Sequence, residues 1–188
     1  MYKVAFPLQN WSLAWWGKDK RSFGSKRPSE SGTPRKHAGV DLIAAAGTPV
    51  VAMTSGKVTK VYGEMLCNRK KTGDPEQDQY RLCGSGVEIH HPEAPVFGTV
   101  LYGEITPGAG IARGTEVTGG QTIGEVAQIF WSSSRKPMLH VEYYPDFTPG
   151  GTHVMDAKKG EYQRAATPHE PTRLLQSLFL QAPPKTKT

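Results

Sequence analysis

The chain has 188 residues, 37% of them hydrophobic, and a formal net charge of +6. That length suits one domain with a sizeable core. No stretch approaches the ~18 apolar residues of a membrane-spanning helix, so no span is expected. The positive charge serves either ordinary solubility or attraction to a polyanion such as cell-wall polymer, nucleic acid or anionic lipid, and its local groups at Lys18-Asp-Lys20-Arg21, Arg35-Lys36, Arg69-Lys70-Lys71 and Lys158-Lys159 form no nucleic-acid-binding motif. The 21 glycines and 15 prolines punctuate many short segments, which favours an all-β fold of mainly antiparallel sheets over helices.

In chain order, residues 1–36 read as irregular apart from a first strand near Tyr2-Lys-Val-Ala-Phe6, and 1–22 are expected to pack on the domain as an N-terminal segment. Met1–Asn10 has no apolar signal region. Trp11, Trp15 and Trp16 read as caps on a core, with Trp15 or Trp16 a candidate for gripping peptide or sugar. Strands are expected at 38–44, 49–53 and 56–63. A polar loop inserted at 63–86 carries the two cysteines, Cys67 and Cys83. A disulfide between them would stabilise by about 3 kcal/mol; in a reducing compartment both would stay free. Strands follow at 86–91 and 98–104 with a turn at Pro92–Pro95 between them, then a loop at 106–110. A hairpin is expected to begin at Thr115-Glu-Val117 and to turn at Gly119-Gly120, before a strand at 123–128 and a polar loop at 131–136.

The run Met138-Leu139-His140-Val141-Glu142-Tyr143-Tyr144 alternates and is rich in β-formers. As a strand it places Met138, His140 and Glu142 on one face and Leu139, Val141 and Tyr143 on the other. Residues 145–165 have no clear period and read as loop. Helical spacing behind Pro171 predicts a short C-terminal helix over 171–180, and 181–188 a disordered tail.

Two stretches carry the chemistry. His37-Ala-Gly-Val-Asp41 and Leu139-His140-Val141 together offer two imidazoles and a carboxylate. Three protein ligands with a fourth position left open suit zinc. In a straight strand His37 and Asp41 would lie roughly 13 Å apart, and Gly39 with the β-branched Val40 argues against a helix. A bend at Gly39 is the remaining way to bring them onto one ion. His153 and His169 lie in loops and read as solvated.

His37-Ala-Gly-Val-Asp41-Leu-Ile-Ala-Ala-Ala-Gly-Thr-Pro-Val50 resembles the first motif of the LytM/lysostaphin-type zinc endopeptidases. Ala52–Val58, Gly86-Val87-Glu-Ile89-His-His91, Gly114–Gly124 and Leu139-His140-Val141-Glu142 follow in that family's order. Phe23-Gly24-Ser-Lys-Arg27-Pro28 resembles its opening "F-G-x-R", and Glu170-Pro171-Thr172 its closing "D-P-T". The resemblance implies a compact β domain over 23–180 with a loop-lined groove, a Zn(2+) held by His37, Asp41 and His140, and peptidoglycan cross-links as substrate. It also implies an extracytoplasmic site of action. His91 aligns with a strand histidine and is expected to face the site or its rim, with His90 pointing away. Tyr102 is the tyrosine of the family's "Y-x-H-L" motif. Glu142 would orient His140 from behind.

Two positions depart from that pattern. The histidine of "Y-x-H-L" is Glu104 here, and the first histidine of "H-L-H" is Met138. Met138 cannot move a proton. Glu104 can, and a carboxylate beside a metal is a competent base. Hence two readings: a zinc peptidase with Glu104 as general base, or a catalytically inactive zinc-binding homologue that binds cell-wall peptide or a protein partner. The leukocyte cell-derived chemotaxin branch of this fold is similar in keeping zinc without the catalytic residues.

Overall fold

The computed structural model describes residues 3–8, 21–27, 34–63, 66–69, 80–82, 84–93, 96, 98–128, 136–146 and 161–181. In chain order the elements are β1 (Lys26–Arg27), β2 (Arg35–Lys36), β3 (Val40–Ile43), β4 (Pro49–Val51), β5 (Gly56–Tyr62), β6 (Leu66–Arg69), β7 (Tyr80–Leu82), β8 (Ser85–His91), β9 (Gly98–Pro107), β10 (Glu116–Val117), β11 (Thr122–Val126), β12 (Met138–Tyr144) and α1 (Thr172–Gln181). All the strand pairings are antiparallel.

One eight-stranded sheet runs β10-β5-β8-β9-β11-β4, and β12 joins it by pairing with both β9 and β3. β9 serves two partners along one edge: residues 99–103 pair with β12 and residues 105–107 with β11. Between the two halves sits a bulge at Glu104, whose φ is +60°. On the opposite edge the β8 register shifts at the same place, from Gly86↔Gly103 to Ser85↔Ile105.

The β-branched and aliphatic residues of alternate positions make the core: Val40 and Leu42, Val87 and Ile89, Leu139 and Val141. That alternation leaves the other face of β12 to Met138, His140 and Glu142, and so sets where a site can form. α1 buries Leu175 and Leu178 on this core, and Phe179 meets Phe6 edge-on at 5.6 Å.

Several expectations need correction. Residues 3–8 hold no strand; they lie along β4 through an isolated Leu8↔Val50 bridge and the Ala5 N–H to Met53 carbonyl bond. The segment read as irregular before His37 contains the β1–β2 ribbon. The loop expected at 63–86 contains a second ribbon, β6–β7. Thr106 and Pro107, read as loop, end β9. The turn at Gly119-Gly120 exists, with the Gln121 N–H bonded to the Thr118 carbonyl, but it closes no hairpin. β10 pairs with β5 and β11 with β4 and β9, because each finds a longer partner than the other offers. Trp11, Trp15, Trp16, Cys83, the side chain of Cys67 and His153 lie outside the described residues, and with them the expected disulfide.

Candidate metal centre

His37 follows directly on β2. Its N–H donates to the Ser25 carbonyl at 2.8 Å, and its own carbonyl accepts from Gly24 N–H at 2.9 Å. The chain then bends at Gly39 and enters β3, where Asp41 stands directly opposite His140 of β12. The bend presses Gly39 against β12: a Cβ there would lie 2.2 Å from the Val141 carbonyl oxygen and 2.9 Å from the His140 ring. Only glycine lets the backbone pass so close. The bend therefore brings together two side chains that a straight strand would separate.

His37 Nε2, Asp41 Oδ1 and His140 Nδ1 converge. The separations are 3.1 Å from His37 to Asp41, 2.7 Å from His140 to Asp41 and 3.2 Å between the imidazoles. Ligand atoms about 2.0–2.1 Å from a tetrahedral zinc stand roughly 3.3 Å apart, so the donor set fits such an ion with little movement. All three residues are buried, His140 the least so at 9% exposure.

The remaining atoms of each residue are committed elsewhere, which settles which atom faces the centre. His37 Nδ1 donates to the Ser22 carbonyl at 3.0 Å. Asp41 Oδ2 accepts from Arg27 Nη2 at 2.7 Å. His140 Nε2 lies 2.9 Å from Glu142 Oε1. Glu142 is wholly buried and also receives Tyr144 Oη, Arg164 Nε and Arg164 Nη2. Each carboxylate thus has a guanidinium partner, so neither is buried alone.

These contacts shape the electrostatics. Burial would raise the Asp41 carboxyl, but the bonds from His140 and His37 overcome it and hold Asp41 well below the usual carboxylate range. Burial opposes a charged His140, yet Asp41 and Glu142 on either side push its imidazolium up to about 9. Burial pushes His37 down. Protons and a divalent ion compete for the same lone pairs, so metal affinity should fall as pH falls.

Glu104 is half-buried at the bulge, one residue beyond Gly103. A Cβ on Gly103 would stand 3.4 Å from the His140 side chain, so β9 passes the centre at this point. Met138 lies on the same face of β12 as His140, opposite Ile43.

His91 and Tyr102 are placed differently from expectation. His91 Nε2 meets Tyr102 Oη at 3.1 Å, its Nδ1 meets Thr54 Oγ1 at 3.0 Å, and Tyr102 Oη accepts from Met53 N–H at 3.0 Å. Tyr102 pairs with Val141, a core residue, whereas His140 pairs with Gly103. Strand alternation therefore puts His91 and Tyr102 on the core face, opposite Asp41 and His140. His90, expected to point away, shares the face of Thr99 and Tyr144. His169 is exposed, and its backbone bonds to Tyr143.

Burial pushes His91 down to about 4. The unfolded chain takes up this proton near pH 6.5. The stability that His91 confers is therefore present above pH 6.5 and is lost as pH falls toward 4. Between pH 7 and pH 5 the loss from this residue should be about 2 kcal/mol. Urea unfolding of His91→Gln should show a correspondingly flatter pH dependence than the parent; an equal slope would assign the pH dependence elsewhere.

Two imidazoles and a carboxylate whose donor atoms converge beside β3 and β12 are a set able to hold one divalent ion. The chain belongs to peptidase family M23, whose model matches residues 35–155 and so takes in all three. Among solved structures it is similar to the SpoIIQ–SpoIIIAH pore-forming complex, with 18% identity over 92% of this chain and 90% of that one and a TM-score of 0.52. It is similar to lysostaphin, with 18% identity over 94% of this chain and a TM-score of 0.51. It is similar also to LytU, with 18% identity over 88% of this chain and 91% of that one and a TM-score of 0.50. These likenesses concern the fold. The chain spans 54% of lysostaphin and 40% of Csd3 from Helicobacter pylori. A search of curated sequences found no match. Among the described residues no helix is long and apolar enough to cross a membrane.

Sequence reasoning missed Arg164 and Tyr144. Tyr144 could have been found, since it lies two residues beyond Glu142 on the same strand face. Arg164 lies in a stretch without periodicity and carries no local signal.

Proposed function

We propose that the chain is a zinc-dependent peptidase-type domain acting on peptide cross-links of peptidoglycan, outside the cytoplasm. The observation that carries this is the convergence of His37 Nε2, Asp41 Oδ1 and His140 Nδ1 within 3.2 Å of one another in a chain of family M23. When bound, zinc would polarise the scissile carbonyl and acidify the attacking water. His37, Asp41 and His140 hold the ion. Glu142 keeps the His140 Nε2 proton in place and so aims Nδ1 inward. Glu104 takes the proton from the attacking water and returns it to the leaving amine, a role open to a carboxylate. The loops of domain 23–180 line the groove for the peptide, and the basic groups favour an anionic wall polymer over nucleic acid.

Met138 supports a second reading. A thioether on the ligand face, where the resemblance places an imidazole, can neither give nor take a proton. On this reading the domain keeps zinc and binds a cell-wall peptide or a protein partner without cutting it.

The test is to incubate the zinc-loaded protein with purified peptidoglycan and to follow newly released amino groups. The peptidase reading expects release in the parent and at least ~100-fold less in His140→Ala, since the centre is then incomplete. Binding of muropeptides by calorimetry with no release would favour the second reading.

A further inference from the structure

The outer contacts of His37 and Asp41 end on residues outside the stretch 35–155 that matches the family model, and that of His140 reaches such a residue through Glu142. The Ser22 carbonyl receives His37 Nδ1, Arg27 Nη2 donates to Asp41 Oδ2, and Arg164 grips Glu142, which receives His140 Nε2. Ser22 and Arg27 belong to one segment, 21–27, and Arg164 to another, 161–166. The two segments meet each other, and β2 ties to the second of them. Phe23 stacks on Tyr162 at 5.0 Å, and Lys36 of β2 bonds to Glu161 through its N–H at 2.7 Å and its ammonium at 2.6 Å. Strand pairing places the ligands, but these flanking segments fix which atom of each side chain faces inward.

We infer that Arg27 and Arg164 are positioning residues that set metal affinity from outside the family-matched stretch. The inference rests on the metal reading above and adds where the site's order comes from. Each guanidinium balances the carboxylate that it touches, so neither carboxylate turns away from its histidine. The two differ in their geometry. Arg27 makes a single contact through Nη2, which an ammonium can replace. Arg164 spans the carboxylate with Nη2 at 2.6 Å and Nε at 3.1 Å from Oε1, and Nε at 3.1 Å from Oε2. A lysine cannot reproduce that fork.

The test measures zinc affinity of the full chain by competition with a chromophoric chelator, alongside the visible spectrum of the cobalt(II)-loaded protein. Arg27→Met and Arg164→Met should each weaken zinc binding about 10–100-fold and change the cobalt spectrum. Arg27→Lys should restore most of the loss, whereas Arg164→Lys should not. If Arg164→Met fails to fold, the pair Glu142→Gln with Arg164→Met removes both charges together, and the same weakening is expected of it. Folded variants that bind zinc within about two-fold of the parent, with an unchanged cobalt spectrum, overturn the inference alone. A parent that binds no more zinc than His140→Ala overturns the metal reading and the inference with it.

Discussion

Replacing Glu104 by glutamine should lower turnover of a peptidoglycan cross-link by roughly 10²–10⁴-fold while zinc affinity and melting temperature stay close to the parent's. The substitution keeps the shape of the side chain and removes only its capacity to accept a proton. The backbone singles this residue out. Glu104 is one of two non-glycine residues with positive φ among those described, at +60°. Holding an L-residue there costs about 1–2 kcal/mol. With unbroken alternation Glu104 would follow Tyr102 into the core; the bulge takes it out of that alternation, and Ile105 takes the core position. A bulge that re-aims one side chain beside a functional cluster is a recurrent device. Gly103, immediately before it, lets β9 run along the His140 side chain. Steady-state release of amino groups, with zinc titrated separately, separates the outcomes. Turnover undiminished in Glu104→Gln removes this residue from the chemistry. A parent that binds cell-wall peptide without turning it over assigns the site to recognition.

What could be read from the sequence follows from how each element is stabilised. β4, β5, β8 and β12 are apolar or alternating runs bounded by glycine and proline, and their side chains announce them. β1 and β2 are Lys-Arg and Arg-Lys, held by backbone pairing and by Arg27 and Lys36 reaching acidic partners elsewhere. No pattern within two residues can signal that. The Gly119-Gly120 turn was legible as a turn, but a local signal does not say which strands its flanks will join. His90 and His91 show the cost of a period of two: an error of one residue exchanges the faces. The triad was legible through the ordered motifs in which His37, Asp41 and His140 sit, because HxxxD spacing by itself is a weak pattern. Its support was not, because Arg164 reaches Glu142 from 22 residues away in sequence.

Gly39→Ala should be the most damaging single-methyl change near the centre, reducing stability by about 3 kcal/mol and weakening zinc binding together. A Cβ at this position would sit 2.2 Å from the Val141 carbonyl oxygen and 2.9 Å from both the Val141 carbonyl carbon and His140 Cε1. None of these is the end of a flexible chain: two are backbone of a central strand and the third belongs to an imidazole held on both nitrogens. The methyl group can be housed only if β3 and β12 move apart. Doing so stretches the register in which Val40 faces Val141 and Asp41 faces His140. For a chain of this length the stability loss corresponds to a melting temperature about 6–12 °C lower. Gly47→Ala is the control. Gly47 has a φ of +78° and nothing within 4 Å of an added Cβ, so it should cost only about 1 kcal/mol of backbone strain and leave zinc binding intact. Thermal unfolding of both variants with and without zinc decides the matter. If Gly39→Ala melts like Gly47→Ala and binds zinc like the parent, then His37 and Asp41 do not owe their convergence to close passage at the bend.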